Sequence, residues 1–396
     1  MKILASPRLA LSILLFLAMF IGTVSWFPWT FERTAKAPGW AMATGLDRPY
    51  SSASFLCAVF LLLVNTLACT IERTGRAWSL VNGLVPPGAA VLEGKEERFF
   101  IDLLKKQGFR TEAGPPYYKN RFALTKGWLF HFGLVLLILG ILVQQAFHDN
   151  GSFELGEREM ARLSDAGVVF GRNAGPLATT DLPAIQLALE QFDPYLHQEG
   201  YAPDRASTLL IRTLEAEQFA VLDRARGVSV DGVSIYQAIP FGLALNVEIT
   251  GLGVHSLHLR QVSPKRSTAE FRDPAGGIVL FSVETERTVE DPLGTGKPRI
   301  FLDRNGERTE LSIGRPFAFG DRTATILSLG RWSGFTYSRS PGVSIVFAGF
   351  FFLLAGTAVM LVPAGIAAAA EDGTIRVYLT QGAGNFTEEW RRFKSS

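Results

Sequence analysis

Residues 127–147 read GWLFHFGLVLLILGILVQQAF, and this stretch decides the fold. It follows Lys126, contains no Lys, Arg, Asp or Glu, and its one titratable side chain is His131. An apolar run of about 18 residues or more spans the hydrocarbon core of a bilayer as a helix. Three further runs have the same character. Leu9–Phe27 lies between Arg8 and Pro28, Ser51–Ile71 is closed by Glu72 and Arg73, and Gly342–Ala370 ends at Glu371. Pro363 should end the spanning part of the last run near Leu361. The first run could be read as a signal peptide. Its apolar stretch is long, no A-x-A-like site follows it and more spans come after, so it is read as a retained helix.

Composition agrees. The chain has 396 residues, 47% hydrophobic and 19% charged. Soluble domains are nearer a quarter charged, which disfavours a purely soluble enzyme. Thirty Phe exclude a disordered chain, and a net charge of +2 gives no reason to expect nucleic acid as a partner. Two cysteines, Cys57 and Cys69, exclude a disulfide scaffold and any Cys-rich zinc or iron–sulfur site.

Lys and Arg in short loops set orientation. The segment 72–126 holds ten of them, from Arg73 to Lys126, whereas 28–50 holds three, Arg33, Lys36 and Arg48. Both tails are also basic. The expected fold class is a membrane protein with four transmembrane α-helices and a large, mainly-β extracytoplasmic domain. Residues 1–71 carry the first two helices and a short outer loop, and 72–126 form a cytoplasmic loop. The third helix is 127–147, the β-rich domain 148–341, the fourth helix 342–370 and the cytoplasmic tail 371–396.

The outer segment reads as β because short apolar or alternating runs are punctuated by Gly, Pro and Asp. The expected strands include Thr208–Ala216, Val228–Ala238, Leu243–Thr250, Ile278–Glu284, Arg299–Leu302 and Ala324–Leu329, with a helical turn near Leu182–Leu189. They should form an antiparallel sandwich or an open barrel. In the 72–126 loop, Glu96–Gln107 is expected to be an amphipathic helix with Phe99, Phe100, Leu103 and Leu104 on one face, followed by a hairpin-like stretch, Phe109–Thr125.

His131 is the sharpest chemical signal. An ionisable group inside a spanning helix costs roughly 2–3 kcal/mol, so it faces protein, water or a ligand. Neutral imidazole also ligates haem iron. His131 aligns with Leu134, Val135, Ile138 and Leu142, an apolar wall suited to a porphyrin edge. Gly133 and Gly140 lie opposite and offer a close-packing face for a sister helix, with Gly349 and Gly356 of the last span at the same spacing. His131 would then point away from its own bundle, towards a partner. At this point two readings stand: a haem ligand, and a snorkelling or hydrogen-bonded histidine.

The remaining candidates are weaker. His148 reads as a solvated interfacial histidine and His197 as surface. His255 and His258 fall on opposite faces of a strand, which is poor for one metal. Cys57 and Cys69, twelve apart in one helix, are roughly 18 Å apart and cannot bridge. They read as buried, inert thiols, and a thiol–disulfide oxidoreductase is disfavoured. Asp223, Asp231 and Asp291 sit in turn contexts. No catalytic triad ordering, Walker loop or HExxH appears.

Several local patterns occur in a characteristic order: Ser6-Pro-Arg-Leu with Ile21-Gly-Thr-Val, Val64-Asn-Thr-Leu-Ala-Cys-Thr-Ile-Glu-Arg73, and Lys126-Gly-Trp-Leu-Phe-His131-Phe-Gly-Leu. Tyr236-Gln237 before Pro240-Phe-Gly242 follows, then Pro341-Gly342 leading into Gly349 and Gly356. With this layout the chain resembles the ResB (CcsB) family, the cytochrome c biogenesis proteins of system II. The stretch Phe170–Asp181 matches nothing in that pattern. The resemblance implies a partner of the ResC (CcsA) type, which carries a tryptophan-rich haem-handling motif; the seven Trp here form no such cluster, so this chain looks like the separate ResB half. It implies a cytochrome c synthetase complex that carries haem across the membrane and presents it to apocytochrome c for covalent attachment. The chain would be a non-catalytic or haem-handling subunit. It also implies that His131 is an axial ligand of haem b, shared transiently with the partner, which supplies the second ligand. The implied location is a bacterial inner membrane with the large domain on the periplasmic side, or a plastid equivalent. The competing reading is a membrane-anchored scaffold or adaptor with no cofactor. A b-type electron carrier ranks below both, because it needs two axial ligands and the spans hold one histidine.

Overall fold

The computed structural model describes residues 4–27, 38–44, 46–47, 49–86, 89–92, 97–111, 116–182, 184–196, 204–223, 225–272, 278–286, 293–304, 306–369 and 375–380. The described chain divides into two compact units, residues 1–147 with 341–396, and residues 148–340.

The first unit contains helices α1 (Pro7–Val24), α2 (Gly39–Thr44), α3 (Ala53–Val81), α4 (Glu97–Lys106), α5 (Lys126–Phe147) and α6 (Val343–Met360). Among the described residues, four are long and apolar enough to cross a membrane: α1, α3, α5 with the turn before it, and α6. Pro7 opens α1, where its missing N–H is no loss. Ser52 caps α3, its Oγ accepting the Phe55 N–H at 3.3 Å. Two boundaries differ from the sequence reading. α3 does not stop at Ile71 but carries Glu72, Arg73 and Arg76 on to Val81. α6 stops at Met360, close to the end near Leu361 expected from Pro363, but the described remainder of the fourth helix's 342–370 is not helical: Gly365–Ala369 is a strand.

That strand belongs to a small sheet. Strands β1 (Ala90–Leu92) and β2 (Tyr117–Lys119) come from the loop between α3 and α5, and β19 (Gly365–Ala369) and β20 (Ile375–Leu379) from the C-terminal segment. They pair in the order β1-β20-β19-β2. The basic loop and the tail are thus woven together at one end of the spans. Leu104 of α4 and Phe109 pack with Ala367 and Val377 against this sheet. The side chains of residues 97–100 and 103 lie outside the described residues.

Close backbone approach fixes α5 against α6. A Cβ at Gly133 would lie 2.6 Å from the Leu353 backbone N, one at Gly140 2.7 Å from the Val346 N, and one at Gly349 2.6 Å from the Leu137 N. A Cβ at Gly356 would meet Phe130 at 2.7 Å. Glycines at seven-residue spacing on both helices leave nothing between the two backbones, as small residues do at membrane helix contacts. The expected pairing of these faces is what the structure contains.

The second unit is built from β3 (Asp149–Gly156), β4 (Met160–Arg162), β5 (Phe170–Ala174), β6 (Gln186–Leu196), β7 (Asp204–Arg212), β8 (Glu217–Leu222), β9 (Val228–Val230), β10 (Val233–Ile249), β11 (Gly253–His258), β12 (Arg260–Ser263), β13 (Arg266–Arg272), β14 (Ile278–Glu284), β15 (Arg299–Arg304), β16 (Glu307–Leu311), β17 (Pro316–Phe319) and β18 (Arg322–Arg339). A central sheet runs β11-β10-β18-β3-β5, with β9 on β10 and β17 on β18. A five-stranded sheet, β12-β13-β14-β15-β16, faces one part of it, and a four-stranded sheet, β4-β6-β7-β8, faces another.

β10 and β18 serve both cores. Leu243, Leu245, Val247 and Ile249 of β10 and Ala324 and Ile326 of β18 pack on Phe281, Val283, Ile300 and Leu302. Further along, Val233 and Ile235, with Phe335 and Tyr337, pack on Leu187, Leu189, Leu209 and Ile211. The sequence reading had divided β10 at Pro240. The strand continues through it, and its pairing with β18 instead shifts between Gln237 and Phe241, where a residue without an N–H is tolerated. The helical turn expected near Leu182–Leu189 is absent: Gln186–Leu196 is strand β6, because Leu187 and Leu189 alternate into the core.

Candidate functional site

α5 lies between two neighbours. Its glycine face meets α6, and its opposite face packs on α1 and α3: Ile138 is buried with Ile13, Leu17, Phe55, Ala58 and Val59, with Leu142 beside it. His131 is seven residues before Ile138, so it shares the α3-facing side. The expectation that His131 points away from its own bundle is corrected in part: its side of α5 is opposite the glycine face and turns towards α3, while the ring and its neighbours Leu134 and Val135 stay partly exposed. His131 Nδ1 is buried, and although the Gly127 backbone one turn earlier lies near the ring, no well-formed hydrogen bond to Nδ1 is made among the described residues. The ring meets Phe130 at 5.8 Å between centroids. Arg73 of α3 reaches the first turn of α5, where its Nη1 is 3.4 Å from the position a Gly127 Cβ would take.

A buried imidazole nitrogen without a partner is costly unless something else satisfies it, and a metal-bound ligand is one way to do so. The donor chemistry of this position thus suits an axial ligand to haem iron. Around it, α3 is unusually polar for a spanning helix. Asn65 donates through Nδ2 to the carbonyls of Leu4 and Ser6, tying the chain ahead of α1 to α3. Thr66 and Thr70 return their hydroxyls to the backbone one turn earlier, at 2.8 and 2.7 Å.

The sequence pattern of the ResB-like family matches residues 8–263, more than half of the chain. The chain belongs to the ResB-like family. A relative, the cytochrome c biogenesis protein CcsB of Prochlorococcus marinus (strain MIT 9301), is 21% identical over 406 residues, covering 91% of this chain and 88% of the relative. The ResB-like match takes in α1, α3, α5 and the β unit as far as β12, and so includes His131.

The other sequence candidates fall as follows. Cys57 and Cys69 are both unpaired; Cys57 is exposed on the helix surface, contrary to the expectation of a buried thiol, and Cys69 Sγ lies 3.4 Å from the Ala5 carbonyl. His148 is 5% exposed, not solvated, and its carbonyl accepts the Gly175 N–H at 2.8 Å. Asp223 closes a turn by accepting the N–H groups of Ala225 and Arg226, and Asp231 has a positive φ of 51° in the turn between β9 and β10. His197 and Asp291 lie outside the described residues. Among the described residues no group of His, Cys, Asp and Glu could hold a metal ion by itself.

His255 and His258 do lie on opposite faces of β11, and the second anchors a cluster that sequence reasoning missed. His258 Nε2 is 2.8 Å from Glu159 Oε2, and Nδ1 is 3.4 Å from Glu154 Oε2, the looser of the two contacts. Arg260 Nη2 donates to both Glu154 oxygens at 2.6 and 2.7 Å. The His258 ring stacks on Trp332 at 5.5 Å, and the Arg260 guanidinium lies 4.4 Å from the Trp332 ring centroid. Trp332 pairs with Gly242 on β10 and Gly156 on β3, and it fits because the first of these carries no side chain. A Cβ at Gly242 would lie 2.7 Å from Trp332 Nε1, which donates to the Leu259 carbonyl at 3.1 Å. Burial pulls the His258 pKa down, but hydrogen bonds to Glu154 and Glu159 and their charges outweigh it and lift it to about 9. For Glu154 burial acts upward, and its bonds to His258 and Arg260 hold it below the ordinary carboxylate value. A protonated His258 between two carboxylates is a structural clasp. Its members come from three chain segments, 154–159, 258–260 and Trp332, separated by roughly 70 to 100 residues, so no local motif announces them.

Proposed function

We propose that this chain is the ResB-type subunit of a cytochrome c biogenesis complex in a bacterial inner membrane. It takes up haem b together with a ResC-type membrane protein and helps present it to apocytochrome c on the periplasmic side. The observation that carries this reading is the unpartnered, buried Nδ1 of His131 in the third span of a ResB-like chain. The relative of similar length, which shares almost the whole layout, is named for cytochrome c biogenesis. His131 would hold the iron through its imidazole, and Leu134 and Val135 on the same face would offer the porphyrin an apolar flank. The β unit would serve as the docking surface for partner or apocytochrome.

The charge pattern supports the direction. Ten Lys and Arg lie in 72–126 against three in 28–50, which supports a cytoplasmic position for the loop and its small sheet. His131 lies about one turn from that end of α5, a position that suits entry of haem from the cytoplasmic side. The sheet joining loop and tail requires both to share one side, in agreement with the charges.

The test is co-expression with a ResC-type partner and purification of the pair. A Soret band is expected in the wild-type pair and should fall to less than about a tenth in His131→Ala, with the pair still assembled. A deletion strain should lose c-type cytochromes and retain b-type ones. A wild-type pair with no haem, and normal c-type cytochromes in the deletion, would overturn the proposal in favour of a cofactor-free scaffold.

A further inference from the structure

We propose that Arg73 binds a carboxylate of the porphyrin held at His131, and so turns the propionate edge towards the Lys126 end of α5. This rests on the haem reading above and goes beyond it by fixing the orientation of the ligand.

Three observations meet at this point. First, the Arg73 guanidinium leaves its own helix and lies against the first turn of α5, with Nη1 3.4 Å from the Cβ position of Gly127. His131 is four residues further along, about 6 Å by the rise of a helix. That places a cation about one helical turn below the imidazole, and Arg73 is the charge that bears on His131. Second, Arg73 makes no hydrogen bond or ion pair with any described residue. The carboxylate beside it in sequence, Glu72, pairs with Arg76 instead, at 3.8 Å. Third, His131 Nδ1 is itself buried and unpartnered. An orphaned imidazole and an unpaired guanidinium on facing helices match a ligand that has a metal at its centre and carboxylates on its rim.

The chemistry favours Arg for this task. A guanidinium presents two parallel N–H groups to a carboxylate, stays charged at any working pH, and gains strength where lipid excludes water. A propionate so held would sit at the level of the first turn of α5, next to Lys126. Haem b carries its two propionates on one edge and its vinyl groups away from it. Pairing at Arg73 therefore directs the vinyl edge along α5, away from Lys126, which is the edge that apocytochrome cysteines must reach.

The experiment compares haem b with its dimethyl ester, in which both propionates are masked, by titration into the purified, haem-depleted pair with the ResC-type partner. Wild type should bind haem b about tenfold more tightly than the ester, the scale of one charge-assisted hydrogen bond. Arg73→Gln should lose that preference by weakening haem b about tenfold while leaving the ester unchanged. Its absorption maximum should stay that of wild type, since the iron ligand is untouched, and Arg73→Lys should restore part of the preference. An unchanged preference for haem b in Arg73→Gln would overturn the proposal alone, and would leave Arg73 to another anion such as a lipid phosphate. If the wild-type pair takes up neither porphyrin, the haem reading itself fails and this proposal with it. Equal elution profiles for wild type and variants verify that the pair is intact.

Discussion

Leucine at Gly133 is expected to split α5 from α6. A side chain there starts with a Cβ 2.6 Å from the Leu353 backbone N and 2.9 Å from the Gly349 carbonyl, and backbone cannot move aside as a side-chain tip can. Overpacking a soluble core typically costs 1–3 kcal/mol. The cost here should reach about 3 kcal/mol or more, because both contacts are main chain and because close approach is what binds helices in lipid, where apolar burial adds nothing. Gly349→Leu should do the same from the other side, its Cβ lying 2.6 Å from the Leu137 N. Gly75→Leu is the control, since nothing lies within 4 Å of its Cβ position on α3. The measurement is the temperature at which the detergent-purified chain loses its monodisperse elution peak. Both interface variants should drop well below wild type, while Gly75→Leu stays close to it. Equal midpoints for Gly133→Leu and Gly75→Leu would refute the packing account.

The second large effect concerns the His258 clasp and is read from pH. A histidine lifted from 6.5 to about 9 binds its proton more tightly in the folded chain than in the unfolded one. Its contribution is therefore complete below about pH 6.5, declines as pH rises, and is gone once pH passes about 9. At 1.36 kcal/mol per unit the shift corresponds to about 3 kcal/mol at the acidic end of that window. The lowered Glu154 pKa acts in the other direction, adding stability above the ordinary carboxylate range that is lost as pH falls through it. His258→Gln keeps a hydrogen-bonding side chain but no charge, leaving Glu154 and Glu159 without their shared proton. Denaturant midpoints followed by tryptophan fluorescence, with Trp332 stacked on this ring as a local reporter, should differ most between wild type and variant near pH 6 and converge by pH 10. A gap that stays constant over this range would mean that stacking on Trp332, and not charge, accounts for the role of His258.

Much of the membrane part was legible because its rule is one of length. No charge interrupts 127–147, and the helix found there starts at Lys126 and ends at Phe147. The glycine spacing also carried, since seven-residue repeats on two spans specify faces without further knowledge. What periodicity could not give was the partner of the opposite face. Ile138 and Leu142 look equally suited to lipid, a porphyrin or a helix, and only the assembled bundle places them against α1 and α3. In the β unit, Ile278–Glu284 was legible to the residue, because an apolar run between turn signals has few alternatives. Ala324–Leu329 was too short a reading of β18, because Gly330, Gly334 and the polar residues between them look like a turn. The second of them serves close approach: a Cβ at Gly334 would meet the Pro240 ring at 2.8 Å. Of the small sheet of β1, β2, β19 and β20, only β2 was legible, within the hairpin-like stretch Phe109–Thr125, where Arg110 and Tyr118 exchange backbone hydrogen bonds at 2.8 Å. The sheet's strands are three to five residues long and come from chain segments more than two hundred residues apart.

The two longest strands have one more implication. β10, 17 residues, reaches about 55 Å, and β18, 18 residues, runs antiparallel beside it. Neither sandwich owns them, so no cut yields a half that is whole. A chain ended at 263, where the ResB-like match stops, would keep β10 but lack β18, stripping the wall from both cores at once. Such a fragment should not survive as a miniature, and the two lobes should melt as one cooperative body, like a boat whose planks all hang on the same keel.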